Sequence, residues 1–520
     1  MAWFDKRPLT VPDAIRCSAE ANRDKPAVEI DDRVVSWGAF DAGTCQVANA
    51  LLGSGLGKGD RVVILMTNGY EMVEAMFGVI RAGLCAVPLN CSITDAAVAG
   101  MIDNSDAKAV IASGEHLHRI ESLKSGMRDE TRNRLIGVAP VHDGWIDYAS
   151  FRDAAEPDLP PVRLSPDDEC NIIYSSGTTG LPKGIVHDHA CREAWGSDMA
   201  VALRYHSGCR TLVNLGLFSN ISWVAMLATF FAGGTLIVQS RFDVAGTLSC
   251  IQDRRVTHSV MVPLQYQKLV ESPELDQYDL SSLDSYMCCG SPLAGQLKRV
   301  VHERLPGNFI ELYGLTEGLV TILSPEDMAD NIDSVGRACP GQRLAILRDD
   351  DTLADTGEAG EIVGYSRFMM AGYHANDEAN AEATWTDPDG QQWLRTGDIG
   401  RLDESGFLYL VDRKKDMIIS GGQNIFPADI EATMVENDAI SEIAVIGVPH
   451  DTWGETPLAV VVPAEGTLTD PEELIGWANE RLGKQQRIRG LVFVDELPRN
   501  PNGKILKREL RDQFKDHAAS

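Results

Sequence analysis

The sequence predicts an α/β protein with a large N-terminal domain of parallel-sheet βα units, a small β-rich subdomain, and a small α+β domain at the C-terminus. Three observations predict this. Strand-like and helix-like segments alternate from residue 11 to residue 263. Short strands separated by Asp/Gly turns follow between 344 and 411. After the charged run Asp412-Arg413-Lys414-Lys415-Asp416 the pattern resets into roughly 100 residues of mixed helix and strand, a standard domain length.

The elements follow in order. Residues 11–21 read as an amphipathic helix and 32–37 as a strand with its turn. Arg61-Val62-Val63-Ile64-Leu65-Met66 is a buried strand, 71–81 a helix, and Cys85-Ala86-Val87-Pro88-Leu89-Asn90 the next strand. Strand, helix and strand at this spacing form a βαβ unit on a parallel sheet. The pattern recurs at 106–112, 210–215, 235–239 and 259–263. Short strands at 344–347, 360–363, 392–395 and 407–411 make the β-rich subdomain. Beyond 416 come a helix at 428–436, strands at 440–448 and 458–463, a helix at 470–482 and a strand at 491–494. The expected division is therefore 1–411, a junction at 412–416, and 417–520.

Composition narrows the function. The 520 residues are 44% hydrophobic, the balance of an ordinary globular enzyme. A net charge of −29 disfavours nucleic acid and anionic membranes as partners, and no segment has the apolar length of a membrane span. The N-terminal residues lack the apolar run of a secretory signal. Eleven cysteines, an odd number without Cys-x-x-Cys spacing, fit reduced thiols in a cytoplasmic protein rather than a zinc site or disulfide framework.

The densest chemistry lies at 174–184, Tyr-Ser-Ser-Gly-Thr-Thr-Gly-Leu-Pro-Lys-Gly. Gly177, Gly180 and Gly184 let backbone N–H groups approach a ligand closely. Ser175, Ser176, Thr178 and Thr179 supply hydroxyls, and Lys183 a full positive charge. That mixture suits a phosphate chain. It is not a Walker loop, because Lys183 stands between Pro182 and Gly184 and lacks the Gly-Lys-Ser/Thr frame.

Five further clusters set glycine or a turn beside a functional side chain: Cys289-Gly290-Ser291-Pro292, Tyr313-Gly314-Leu315-Thr316-Glu317, Arg395-Thr396-Gly397-Asp398, Arg413-Lys414-Lys415-Asp416 and Arg499-Asn500-Pro501-Asn502-Gly503-Lys504. Singly, each has an ordinary reading: Asp398 as a turn cap, Glu317 as a helix N-terminal acid, Lys504 as a solvated lysine. Together and in this order they closely resemble the adenylate-forming superfamily of acyl- and aryl-CoA synthetases, luciferases and peptide-synthetase adenylation domains. The pattern is closest to the AMP-forming acyl-CoA synthetases, and the resemblance runs from the strand at 32–37 to Lys504-Ile505-Leu506-Lys507-Arg508.

The resemblance implies a two-step reaction. A carboxylate attacks the α-phosphate of ATP, giving an acyl-adenylate and pyrophosphate, and a thiol then takes the acyl group. Ser175, Ser176, Gly177, Thr178, Thr179, Gly180 and Lys183 would hold the β- and γ-phosphates. Thr316 would contact the α-phosphate and Glu317 would bind Mg²⁺. Gly290, Ser291 and Pro292 would border the adenine, with Tyr313 stacked on it. Asp398 would take the ribose hydroxyls, supported by Arg413. Lys504 would stabilise charge developing between carboxylate and α-phosphate. Its domain would be mobile, turning about Lys415 to bring Ser420, Gly421 and Gly422 to the thiol tunnel.

The acid is expected to lie between the segment after 210–215 and the loop at 314–320. Phe218, Ser219, Trp223, Leu315 and Val320 imply an apolar aryl or medium-to-long-chain acyl group, although core packing is the ordinary role for Phe218 and Trp223. Many relatives carry an aromatic-histidine pair where this chain has Phe218-Ser219, so Ser219 or Asn220 is expected to substitute at the carboxylate. No acidic residue lies between 210 and 242, which argues against an α-amino acid. The small domain departs too: Lys484-Gln485-Gln486-Arg487 replaces a common Tyr-Lys pattern, and Asp429 stands where glutamate is usual. With no fused carrier domain before residue 520, coenzyme A is the simpler acceptor, its phosphate met by Arg487, Arg489 or the 413–415 cluster. A separate carrier protein is the alternative acceptor, a nucleotide-binding regulator built on the same fold a third reading, and a homodimer is compatible with all of them.

Overall fold

The computed structural model describes residues 9–138, 141–175, 182–420, 423–450, 453–464, 466–467, 470–483, 486–499 and 503–515. They form two compact units. The first takes in residues up to 332, with 338–343 and 365–394; the second takes in 333–337, 344–364 and the chain from 395 onward. The β-rich segments at 344–364 and 395–411 thus group with the C-terminal residues, and the charged run at 412–416 lies inside the second unit.

Two sheets organise the first unit. In one, strands Asn308–Gly314, Ser285–Cys288, His258–Met261, Arg210–Val213, Thr235–Val238 and Pro26–Ile30 run parallel and side by side. Antiparallel strands Val320–Leu323 and Arg33–Ser36 flank them. The other sheet is parallel from Glu169–Tyr174 through Cys85–Pro88, Arg61–Leu65 and Ala109–Ala112 to Leu135–Gly137 and Ile146–Asp147. Its other edge turns antiparallel at Gly184–Asp188 and Gly372–Tyr373. The central strands are buried throughout, which explains their continuous apolar composition.

Several boundaries shift for local reasons. The strand expected at 106–112 begins at Ala109, because Asp106 takes a left-handed backbone, φ 51°. Pro263, expected to end a strand, instead opens helix Pro263–Val270, where its missing N–H costs nothing. Helix Val11–Asn22 starts one residue after Thr10, whose hydroxyl and the Asp13 carboxylate close a capping box.

In the second unit, strands Ile440–His450 and Gly454–Pro463 form a long antiparallel pair. Ile418–Ser420 pairs with the latter on its far side, and Gly490–Phe493 joins it in parallel. Ile430, Met434, Val445, Val461, Leu474 and Ala478 form the core under helices Pro427–Met434 and Pro471–Arg481. A separate antiparallel ladder joins residues 398–402 to 408–413. No helix among the described residues is long and apolar enough to cross a membrane.

Candidate active site

In the first unit the site is built at strand ends. Tyr174 pairs with Gly184, and the Ser175 N–H donates to the Lys183 carbonyl at 3.0 Å, which brings the two ends of the glycine-rich segment together. Ser176, Gly177, Thr178, Thr179 and Gly180 lie outside the described residues. On the outer side, Tyr373 pairs with Ile185, and the Lys183 ammonium stands 4.8 Å above the Tyr373 ring centroid. The Tyr373 hydroxyl donates to the Glu317 carboxylate at 2.9 Å. Burial first, and then that carboxylate, push the phenol well above its usual range, so it stays a donor.

Thr316 and Glu317 occupy the turn between Asn308–Gly314 and Val320–Leu323. The turn closes through Leu315 N–H to the Leu319 carbonyl, 3.0 Å, and Gly318 N–H to the Leu315 carbonyl, 3.1 Å. Gly318 has φ 121°, and a Cβ there would stand 2.2 Å from the Phe368 carbonyl oxygen, so only glycine fits. The Glu317 carbonyl accepts from Met370 N–H at 2.8 Å, and the Gly318 carbonyl from the Ser366 hydroxyl at 2.7 Å. The carboxylate is thus presented from a backbone fixed on both sides.

Gly290, with φ 103°, turns the chain after Ser285–Cys288. A Cβ there would lie 3.0 Å from Ile221, which places Gly290, Ser291 and Pro292 beside the start of helix Asn220–Ala232. Tyr313, at the end of its strand, is half-buried.

The expected acyl-pocket residues divide. Phe218 and Leu315 are half-buried, and the Phe218 ring lies over Gly216, where a Cβ would be 2.1 Å away. Trp223 is fully buried, packed on Phe77 with the Arg192 guanidinium 4.9 Å from its ring, so its bulk fills the core. Val320 is likewise fully buried. Ser219 caps helix Asn220–Ala232, accepting from Ser222 N–H, and Asn220 Oδ1 accepts from Arg192 at 2.8 Å. Both residues expected to replace the missing histidine therefore have structural partners.

In the second unit Asp398 and Arg413 face each other across the ladder, Arg413 Nε 3.2 Å from Asp398 Oδ1. Asp398 is buried, and its N–H donates to the Thr396 hydroxyl at 3.0 Å. Gly397 takes φ 68° in the same turn. Glu361 holds this turn from behind, accepting from Arg395 at 2.7 Å, from Lys414 at 3.0 Å and from Gly397 N–H. Burial alone would raise the Glu361 carboxyl; the Arg395 and Lys414 hydrogen bonds outweigh it and hold it below the usual range.

Lys504 emerges from a turn closed by the Arg499–Ile505 bridge and by Arg499 donating to the Gly503 carbonyl at 2.6 Å. Its ammonium is brought down to about 7, by burial first and then by Arg413, with Lys415 adding and Asp398 and Asp416 opposing. Lys415 itself is exposed. Arg511 clamps the next residue, donating to Asp416 at 2.7 Å. Ser420 ends strand Ile418–Ser420; Gly421 and Gly422 lie outside the described residues. Asp429 accepts from Gln486 at 3.0 Å, and Arg489 lies 5.9 Å from the ring of the exposed Trp453. Lys484 and Gln485 are also outside the described residues.

Residues 15–374 match the family model of the AMP-binding enzymes, and 429–504 match the model of their C-terminal domain. The chain belongs to the AMP-binding enzyme family. The feruloyl-CoA synthase of an Amycolatopsis species is 34% identical over 493 residues, covering 94% of this chain and 96% of its own. The long-chain-fatty-acid–CoA ligase FadD13 of Mycobacterium tuberculosis is 30% identical over 519 residues, 99% and 98% of the two chains. The crystal structure of ATP-bound MatB from Rhodopseudomonas palustris superimposes with a TM-score of 0.89 at 26% identity, covering 98% of this chain and all of that one. The protein is therefore an AMP-forming acid–thiol ligase of the acyl-CoA synthetase type, with the α/β fold that its sequence predicts.

Sequence reasoning missed four residues that support the candidate residues within their own units: Tyr373, His187 and Arg192 in the first, and Glu361 in the second. Two had a signal. His187 interrupts the apolar strand Gly184–Asp188, and Glu361 precedes the apolar pair Ile362-Val363 inside strand Gly360–Tyr365. A polar residue at a buried strand position must have a partner. Tyr373 and Arg192 carried none: the partner of Tyr373 lies 56 residues away, and an arginine on a helix of mixed composition reads as a solvent-facing residue.

Proposed function

We propose that the ligase activates an apolar carboxylic acid, an aryl or medium-to-long-chain acid, as its acyl-adenylate and transfers the acyl group to coenzyme A. The observation that carries this reading is the Lys183–Tyr373–Glu317 array in the first unit, a cation and a carboxylate placed by one tyrosine. Lys183, with the loop it closes, would meet the outer phosphates. Thr316 would meet the α-phosphate, and Asp398 with Arg413 the ribose. Lys504 would stabilise charge as the carboxylate oxygen bonds to phosphorus and pyrophosphate departs.

The residues fit a Mg²⁺ held mainly by substrate. Tyr373 engages one Glu317 oxygen, and among the described residues no three His, Cys, Asp or Glu side chains converge. Glu317 would supply one ligand and phosphate oxygens and water the rest, the usual manner for this ion. The ion, when bound, neutralises phosphate charge. Lys415 would act as the hinge, and Ser420, Gly421 and Gly422 would border the incoming thiol.

The half-buried Phe218 and Leu315, with no acid between 210 and 242, favour an apolar acyl group. The names of the feruloyl and long-chain-fatty-acid relatives bracket the same range. Pyrophosphate release should be measured with ATP, Mg²⁺ and a panel of carboxylic acids, with and without coenzyme A. Sustained turnover only with coenzyme A, strongest for an aryl or longer-chain acid, is the expected result. Release that stops after one equivalent despite coenzyme A would replace that acceptor with a carrier protein.

A further inference from the structure

Arg192, in helix His189–Ala202, is fully buried, and no carboxylate among the described residues pairs with it. Its guanidinium instead meets three neutral acceptors in three segments of the first unit. Nε donates to Asn171 Oδ1 at 2.7 Å, Nη1 to Asn220 Oδ1 at 2.8 Å, and Nη2 to His187 Nδ1 at 3.2 Å. Asn171 lies on the strand leading into the phosphate loop, and His187 on the strand leading out of it. Asn220 opens the helix that follows Ser219. The other His187 nitrogen, Nε2, is 2.8 Å from the Thr316 carbonyl.

The proton positions follow from the partners. An arginine only donates, so His187 Nδ1 must accept, and the ring's single proton sits on Nε2, where it donates to Thr316. Burial first, then the Arg192 charge, hold the imidazole well below its usual range, so this neutral tautomer persists across ordinary pH. The Thr316 carbonyl belongs to the peptide plane joining Thr316 to Glu317. Fixing that oxygen fixes how the plane is turned, and with it the directions in which both side chains leave the turn.

We propose that Arg192 and His187 are positioning residues for adenylation: Arg192 sets the ring of His187, and His187 orients the Thr316–Glu317 peptide relative to the phosphate loop and the Asn220 helix. This rests on the roles proposed above for Thr316 and Glu317. A planar fork suits the task, since one rigid group fixes three acceptors at once, whereas a lysine would bring a single point of charge. A displacement of about 1 Å in a reacting geometry can cost on the order of a hundredfold in rate.

The test compares H187Q with H187M, and R192K with wild type, in acid-dependent ATP–pyrophosphate exchange, with thermal unfolding measured alongside. Glutamine can accept from Arg192 through Oε1 and donate to Thr316 through Nε2, whereas methionine can do neither. Expected are a kcat for H187Q within about threefold of wild type, and falls of roughly 10- to 100-fold for H187M and R192K with little change in KM for ATP. Equal activity of H187M and wild type, or an equal fall in H187Q and H187M, would overturn the proposal. Should H187M and R192K fail to fold, N220A at the half-buried edge takes their place: a lowered kcat supports the brace, and a rise in KM for the acid alone overturns it. Silence of the wild-type protein across the acid panel would remove the functional reading itself, a different outcome from an active wild type with indifferent variants.

Discussion

The Tyr373 ring lies beneath the Lys183 ammonium at 4.8 Å, while its hydroxyl donates to Glu317 at 2.9 Å. One side chain thus engages both the Lys183 cation, proposed above to meet phosphate, and the Glu317 carboxylate, proposed to meet a metal ion. Tyr373→Phe keeps the ring and deletes the donor. A hydrogen bond to a charged group contributes about 1.5–3 kcal/mol, so the adenylation kcat should fall roughly 10- to 100-fold. Tyr373→Leu, which also removes the ring beneath Lys183, should fall further. Pyrophosphate exchange titrated with Mg²⁺ checks this; identical Mg²⁺ curves for wild type and Tyr373→Phe would detach Glu317 from the ion.

Asp398 and Arg413 are already paired in the structure, so replacing either changes the surface proposed above for the ribose. Asp398→Asn retains the shape, loses the charge and leaves Arg413 facing an amide. Loss of charge-assisted hydrogen bonds to two hydroxyls should raise KM for ATP by about tenfold or more, with a much smaller change in KM for the acid. The separation of the two KM values is the readout. A change confined to the acid would contradict the assignment.

Glu361 is the buried anion behind that surface, with Arg395 and Lys414 as its donors. Breaking a fully buried pair costs about 3–5 kcal/mol, but Lys414 is 44% exposed and water can replace part of what it loses. Glu361→Gln should therefore destabilise the second unit by about 2 kcal/mol. It should also weaken ATP binding, because the Gly397–Asp398 turn loses its support. Denaturant melts with a nucleotide titration check both effects, and a stable variant with normal nucleotide affinity would show the cluster to be dispensable.

The parallel sheets were legible because buried strands carry continuous apolar runs. Asp398 and Arg413 drew notice only through the order of the motifs around them, since each alone reads as an ordinary turn residue. Trp223 allowed two readings, because an aromatic residue on a largely apolar helix looks the same whether it faces a ligand or Phe77; the core reading is the one its burial supports. Ser219 was ambiguous because a helix cap and a carboxylate contact call for the same hydroxyl, and the structure shows the cap. The brace of Arg192, His187 and Thr316 was hidden for a topological reason: it joins positions 187 and 316, far apart in sequence, and only the fold brings them within 2.8 Å.

Gly318 offers a steric test of the Thr316–Glu317 turn. Its φ of 121° excludes nearly every side chain, and a methyl group would meet the Phe368 carbonyl at 2.2 Å, with backbone on both sides unable to yield cheaply. Gly318→Ala should shift the Thr316–Glu317 turn and abolish most adenylation activity. Gly341→Ala serves as the control: it also has positive φ, 82°, but its Cβ would meet nothing within 4 Å. It should cost about 1–2 kcal/mol of stability with activity largely kept. Equal activity loss in the two variants would assign the effect to backbone strain alone.

Lys504 gives the pH dependence. With its pKa near 7 in the free protein, the charged fraction falls about tenfold per unit above that value. If the ammonium is what adenylation uses, kcat/KM for acid-dependent pyrophosphate exchange should decline above about pH 7, since this ratio reports ionisations of the free enzyme. kcat should decline at a higher pH, because bound phosphates favour the cation. Lys504→Ala should lose activity and, in whatever remains, this alkaline limb. The linkage to folding has a definite sign. An unfolded lysine titrates near 10.5, so between about pH 7 and 10.5 the unfolded chain binds the extra proton. The contribution of Lys504 to stability therefore rises with pH across that window, and Lys504→Met should remove this rise. An alkaline limb that survives in Lys504→Ala would assign it to another group and leave the lysine without its proposed role.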